Sequence, residues 1–404
     1  MVVMSALAPV TSLYVHVPFC AHKCEYCAFF SETPKGDLVE RYVQALVREI
    51  ELVADDLKPR TIFFGGGTPS LLSLKQWERI LQKMDQSGLS HAEEWTVECN
   101  PATVSLDKAR LLKDGGVNRI SMGVQSLDEG LLDRLGRVHS REMVFKSYDI
   151  LRQAGFDNIN VDLMFAIPGQ TMDIWRATLR EATALESEHL SCYEVIYEED
   201  TPLFEQMKAG EFSVDEDLAC AMFDELVDFA ESRGFRQYEI SNFARAGRSA
   251  GLRPASPGAI SPMDAGTSLP SLACRHNVNY WRGGSFHGLG PAATGYVRGV
   301  RTKNWSNTPL YCDQVEKGQR AFEMKEELSP LRRAGETATF GLRMNCGWGF
   351  EEFQEITGFD LRTEWAEPMR DLESRGLAIH DAERFRLTRE GLRFADTAGE
   401  LFLK

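Results

Sequence analysis

Cys20, Cys24 and Cys27 stand in a C-x3-C-x2-C pattern. Three thiolates on one tight loop can each hold one iron of a [4Fe–4S] cluster, which more often takes four. Position 29, where a fourth nearby cysteine would sit, is Phe29. The fourth iron is then left without a protein ligand and can take an exchangeable one. Zinc is the competing reading, but it wants a fourth Cys or His at a set spacing. His22 lies between two of the cysteines, poorly placed for that part. Cys99, Cys192, Cys220, Cys312 and Cys346 are scattered, and apolar packing is their expected state.

Other candidate groups close short apolar runs. Phe63-Phe64-Gly65-Gly66-Gly67-Thr68-Pro69 sets glycines side by side, so a ligand can reach backbone N–H and C=O groups closely. Glu98 ends a third run and can accept hydrogen bonds from a ribose. Ser121 to Gln125 forms a fourth, with Arg137 twelve residues beyond Gln125, and an arginine fork pairs well with a carboxylate. Asp162 lies near the end of a fifth. Singly, each is an ordinary polar residue at a strand end. Together they converge on one mouth, which packing does not require. His276-Asn277-Val278-Asn279-Tyr280-Trp281 offers an imidazole able to ligate haem iron and aromatics able to stack on a porphyrin. Asn277 can orient that imidazole. Cys274 is a second candidate soft ligand. A structural turn with a core Tyr–Trp pair is the competing reading, and His16 and His22 read as packing or loop residues.

Six β-rich runs must position these groups: Leu13–Val17, Thr61–Phe64, Trp95–Glu98, Arg119–Gly123, Asn158–Met164 and Leu190–Val195. Each precedes an amphipathic stretch: Gly36–Asp56, Leu74–Gln86, Leu106–Asp114, Ser140–Ala154, Thr171–Leu185 and Asp215–Arg233. Alternation of this kind predicts parallel pairing with right-handed crossovers. The expected fold is α/β, a partial (β/α)6 TIM-like barrel with chemistry at the C-terminal strand ends. It spans 1–243. A Gly/Pro/Ser-rich insertion follows over 244–273, then the H-N-x-x-Y-W segment over 274–309. Over 310–404, helices and a short hairpin predict a C-terminal α+β winged-helix-like domain. Its candidate recognition helix carries Glu364, Glu367, Asp371 and Glu373, which argues against DNA.

The chain has 404 residues, 43% of them hydrophobic, and a net charge of −15, so general nucleic-acid binding is not expected. Nine cysteines in this length are no disulfide framework and point to reduced thiols. Met1 to Ser12 lacks the features of a signal peptide, and no apolar run is long enough for a membrane span. The expected location is the cytoplasm.

The three cysteines, with an aromatic before the last, resemble the radical S-adenosylmethionine (SAM) superfamily. There the open iron chelates SAM and reduces it to a radical. Leu13 to Cys20, Gly65 to Pro69, Ser121 to Gln125 and Asp162 to Gly169 resemble the oxygen-independent coproporphyrinogen III oxidase family, in order from about residue 12 to 400. That resemblance implies that Cys20, Cys24 and Cys27 bind the cluster. It also implies that Tyr14, Gly66, Gly67, Thr68, Glu98, Gln125, Arg137 and Asp162 contact SAM. The oxidase branch carries a further cysteine where this chain has Phe29. The haem-chaperone branch has phenylalanine there and the H-N-x-x-Y-W motif. The resemblance therefore implies haem as cargo, bound at His276, with recipient haemoproteins as partners. A homodimer and a peripheral membrane contact stay open. The alternative is the oxidase reaction, in which a 5′-deoxyadenosyl radical starts decarboxylation of coproporphyrinogen III to protoporphyrinogen IX.

Overall fold

The computed structural model describes residues 8–245 and 269–404. Strands β1 (Val10–Val17), β2 (Leu57–Gly66), β3 (Glu94–Cys99), β4 (Arg119–Gln125), β5 (Ile159–Phe165) and β6 (His189–Glu194) pair in parallel in that order. Helices α1 (Leu38–Val53), α2 (Leu74–Gln86), α3 (Leu106–Asp114), α4 (Glu129–Arg134), α5 (Arg141–Gln153) and α6 (Met172–Ala184) make the crossovers. Beyond β6 come α7 (Pro202–Lys208) and α8 (Glu216–Ser232), then β7 (Phe235–Glu239) and β8 (Asn242–Arg245). Strand β8 pairs antiparallel with both β6 and β7. After α9 (Arg275–Trp281), β9 (His287–Leu289) joins the opposite edge, parallel to β1. The six-unit barrel is as expected, with three extra strands extending its edges.

Side chains alternate across a strand, and here the alternation sorts polarity. Leu13, Val15, Ile62, Phe64, Trp95, Val97, Ile120, Met122, Val161 and Leu163 face the helices and form the main core. The other face is polar and cross-linked. Ser12 bonds Thr61, Arg119 bonds Thr96, Ser121 bonds Asp162, and His189 bonds Asn160. These groups fill the barrel lumen.

Strands β10 (Thr294–Val297), β11 (Val300–Asn304) and β12 (Phe322–Glu327) form a separate antiparallel sheet, with α10 (Thr308–Glu316) between the last two. The segment on either side of the expected boundary at 310 packs on the barrel. Tyr311, Cys312 and Val315 of α10 pack into the barrel core, and Tyr311 donates to the fully buried Glu49 of α1 at 2.7 Å. The second core begins with α11 (Pro330–Leu342) and runs to Phe402. It includes β13 (Trp348–Gly349), α12 (Phe350–Thr357), α13 (Leu361–Glu364), α14 (Ala366–Ser374), β14 (Ala378–His380) and β15 (Arg384–Leu387), then α15 (Arg389–Arg393) and α16 (Ala395–Glu400). The sheet order β13-β15-β14 completes the winged-helix-like unit. The helix expected over Leu361–Arg375 breaks at Trp365, whose buried indole turns in to donate to the Phe402 carbonyl at 2.8 Å. Arg389 and Arg393 tie this unit to Asp224 of α8.

Of the expected insertion over 244–273, Ala244 and Arg245 belong to β8, and residues 246–268 lie outside the described residues. Among the described residues no helix is long and apolar enough to cross a membrane.

Candidate functional site

The cysteine loop leaves β1 at its C-terminal end and is clamped to the glycine turn. Gly67 N–H donates to the Val17 carbonyl and Thr68 N–H to the Phe19 carbonyl, each at 2.8 Å. The glycines are required by this closeness. A Cβ on Gly66, which has φ +103°, would sit 2.4 Å from the His16 ring, and one on Gly67 would sit 2.7 Å from the Val17 oxygen. Gly66 N–H donates to Glu98 Oε2 at 3.1 Å. The expectation of free N–H groups here is thus corrected, since the fold itself uses those of Gly66, Gly67 and Thr68.

All nine cysteines are free thiols. Cys20, Cys24 and Cys27 are half-buried, whereas the neighbouring Phe29 is 69% exposed. Cys20 Sγ lies 3.5 Å from Thr68 Oγ1, and Arg137 Nη1 donates to Cys24 Sγ at 3.5 Å. Burial pushes the Cys27 thiol up, with Cys24 and Cys20 adding to it. Among the described residues no three His, Cys, Asp or Glu side chains converge on a point that would hold one metal ion. The Arg137 cation at Cys24 is complementary to an anionic group held on these thiols.

Arg137 Nη2 donates to the Gly123 carbonyl at 2.5 Å, and its Nε is shielded with no protein partner. Gln125 ends β4 with φ +66°, a left-handed conformation unusual outside glycine, and its amide lies over Gly123 beside Arg137. Asp162 accepts from Ser121 at 3.1 Å and from Asn160 at 2.7 Å. Glu98 is pushed up to about 8, first by burial and then by the Asp162 charge. Burial raises Asp162 itself to about 6, against the pull of Asn160 and Ser121. Tyr14 bonds His16 Nδ1 at 3.0 Å and stacks on Phe63. The eight residues expected to contact SAM thus line one end of the lumen, beside the three thiols.

The structure places His276 apart from the cysteine loop. Helix α9 enters the lumen from the opposite end, where Glu94 accepts from the N–H groups of Arg275 and His276 at 3.0 Å each. His276 is 1% exposed, and both its nitrogens are engaged, Nδ1 with Thr61 Oγ1 at 2.9 Å and Nε2 with Tyr280 Oη at 2.7 Å. Its ring stacks on Phe63. Neither nitrogen is open to an iron. Cys274 is equally enclosed, its thiol facing Glu94 and pushed up to about 12 by burial. His16 is a packing residue, bonded to Tyr14 and the Phe30 carbonyl.

The sequence reading missed the lower lumen: Glu94, Thr96, Arg119, Asn160, His189 and Ser191. Their signal was polar residues at every second position in parallel strands, where both faces would ordinarily be apolar.

The Radical SAM superfamily matches residues 14–182, and the HemN C-terminal domain matches 328–394. The fold is that of coproporphyrinogen III oxidase (HemN) from Escherichia coli, a radical SAM enzyme. That match has a TM-score of 0.79 and 20% identity, over 98% of this chain and 90% of that one. Barrel, cysteine loop and tail together define a radical SAM protein with a HemN-type C-terminal domain.

"Heme chaperone HemW" of Lactococcus lactis is 32% identical, covering 97% of both chains. That of Bacillus subtilis is 33% identical, covering 92% of this chain and 93% of its own. The Escherichia coli protein of the same name is 34% identical over 72% of this chain and 71% of its own. This chain belongs to the HemW family.

Proposed function

We propose that this protein holds a [4Fe–4S] cluster on Cys20, Cys24 and Cys27, binds SAM across the adjoining strand ends, and carries haem for delivery to haemoproteins. The observation that carries the haem reading is near-full-length similarity to proteins named haem chaperones. Phe29, in place of the cysteine of the oxidase branch, agrees with it.

The cluster, when bound, supplies an open iron that chelates the amino and carboxylate groups of SAM. This chain's own residues do the rest. With the N–H groups of Gly66, Gly67 and Thr68 occupied, the glycine turn would meet an ammonium donor through backbone carbonyls. Arg137 Nε is the free donor for the carboxylate. Protonated Glu98 and ionised Asp162 give the lumen a donor and an acceptor for ribose hydroxyls. Tyr14, Thr68 and Gln125 close the sides.

The test is an anaerobic haem titration of cluster-reconstituted protein, followed at the Soret band, with iron and sulfide analysis alongside. Saturable, near-stoichiometric haem binding is expected. Iron and sulfide should be about four each per chain, and lost when the three cysteines are changed to serine. Absence of saturable haem binding, with porphyrinogen decarboxylation on adding SAM and reductant, would overturn the haem-carrier reading.

A further inference from the structure

We infer that the cavity between the end of α9, the β10–β11 hairpin and α11 seats the carboxylate-bearing edge of haem. The inference rests on the haem-carrier reading and adds a location to it. The cavity is about 370 Å³, within the roughly 300–1,000 Å³ usual for small-molecule sites. Its walls are aromatic: Tyr280, Trp281, Phe286, Tyr296 and Phe340. Flat rings of this kind offer a porphyrin offset-stacked or edge-on contact.

The walls are held in place from behind. His276 fixes the Tyr280 hydroxyl at 2.7 Å, and the Tyr280 ring meets Phe286 edge-on at 4.4 Å. Trp281 lies 6.4 Å from Phe340, with the Arg343 guanidinium over its ring at 4.9 Å. The H-N-x-x-Y-W motif therefore presents its aromatic pair to the cavity while its histidine serves as the anchor.

One cation in the wall lacks a side-chain partner among the described residues. Arg301, the other cation there, is spent on Glu326 and Glu336. The Arg333 guanidinium has no ion pair or hydrogen bond among the described residues. Its guanidinium occupies the space left by the missing side chain of Gly299, where a Cβ would lie 2.2 Å from Nη1. An unpaired guanidinium on aromatic walls is complementary to a planar aromatic carboxylate. Haem, with two propionates on one edge, is the member of that class the carrier reading supplies. A cavity of this volume takes that edge and leaves the rest of the ring uncovered for a recipient.

The test uses full-length wild type, Arg333→Ala and Phe340→Ala; both side chains are partly exposed, so each change spares the cores. Each protein is titrated with haem, with metal-free protoporphyrin IX and with its dimethyl ester. Loss of one charge-assisted pair should weaken haem and protoporphyrin binding to Arg333→Ala about tenfold. The dimethyl ester should bind wild type more weakly and lose nothing further in Arg333→Ala. Phe340→Ala should weaken all three. Tight haem binding by wild type that both variants leave unchanged would overturn this location while sparing the carrier reading. No binding to wild type would end both.

Discussion

Residue by residue, the lumen is a set of carboxyl groups tuned by one another. Glu98 is ionised only above about 8, because burial and the Asp162 charge both favour its neutral form. The unfolded chain gives up that proton near 4.5. Between those values the folded protein binds more protons than the unfolded one, so stability falls as pH rises through the window. Glu98→Gln should abolish that slope in cluster-free protein. Between pH 5.5 and 8 wild type should lose on the order of 2–3 kcal/mol relative to the variant, measured by urea denaturation at both values. Parallel pH dependence would contradict the assignment. The upper lumen was legible in the sequence because each group closes a strand. The fate of His276 was not, since nothing in a local motif says that Thr61, more than two hundred residues earlier, will meet its Nδ1.

At the scale of elements, helix boundaries were the most legible feature, for a physical reason. Ser73, Ser105, Ser140, Thr171 and Asp215 each accept from an N–H in the first turn of the following helix, so the chemistry that starts those helices is written locally. The edge strands were not legible. β9 is three residues long and is defined by its pairing with β1. Besides the apolar packing of α10, the buried Glu49 ties the segment around the expected boundary at 310 to the barrel. It accepts from Gly290 N–H, Asn304, Tyr311 and Arg320 at 2.7–3.1 Å, fastening residues 290–320 to α1. Removing it strands several donors. Glu49→Ala should cost about 3–5 kcal/mol and Glu49→Gln less, read from denaturant midpoints. A cost under about 1 kcal/mol for Glu49→Ala would mean that the apolar packing of α10 holds the segment unaided.

At the scale of the whole molecule, α9 joins the two ends of the account. Its first turn is held by Glu94 at the foot of the barrel. The Tyr280 hydroxyl is buried against His276 Nε2, at 2.7 Å. The ring of Tyr280 lines the cavity against the C-terminal unit. The proposed SAM site and the proposed haem seat would therefore share a wall, with the radical SAM barrel supplying one side and the HemN-type domain the other. The central claim is delivery, and the most direct measurement mixes haem-loaded protein with an apo-haemoprotein in stopped flow at rising recipient concentration. The account predicts a transfer rate that climbs with recipient concentration and then saturates, as a hand-off within a complex requires. A rate independent of the recipient, equal to simple haem dissociation, would contradict it.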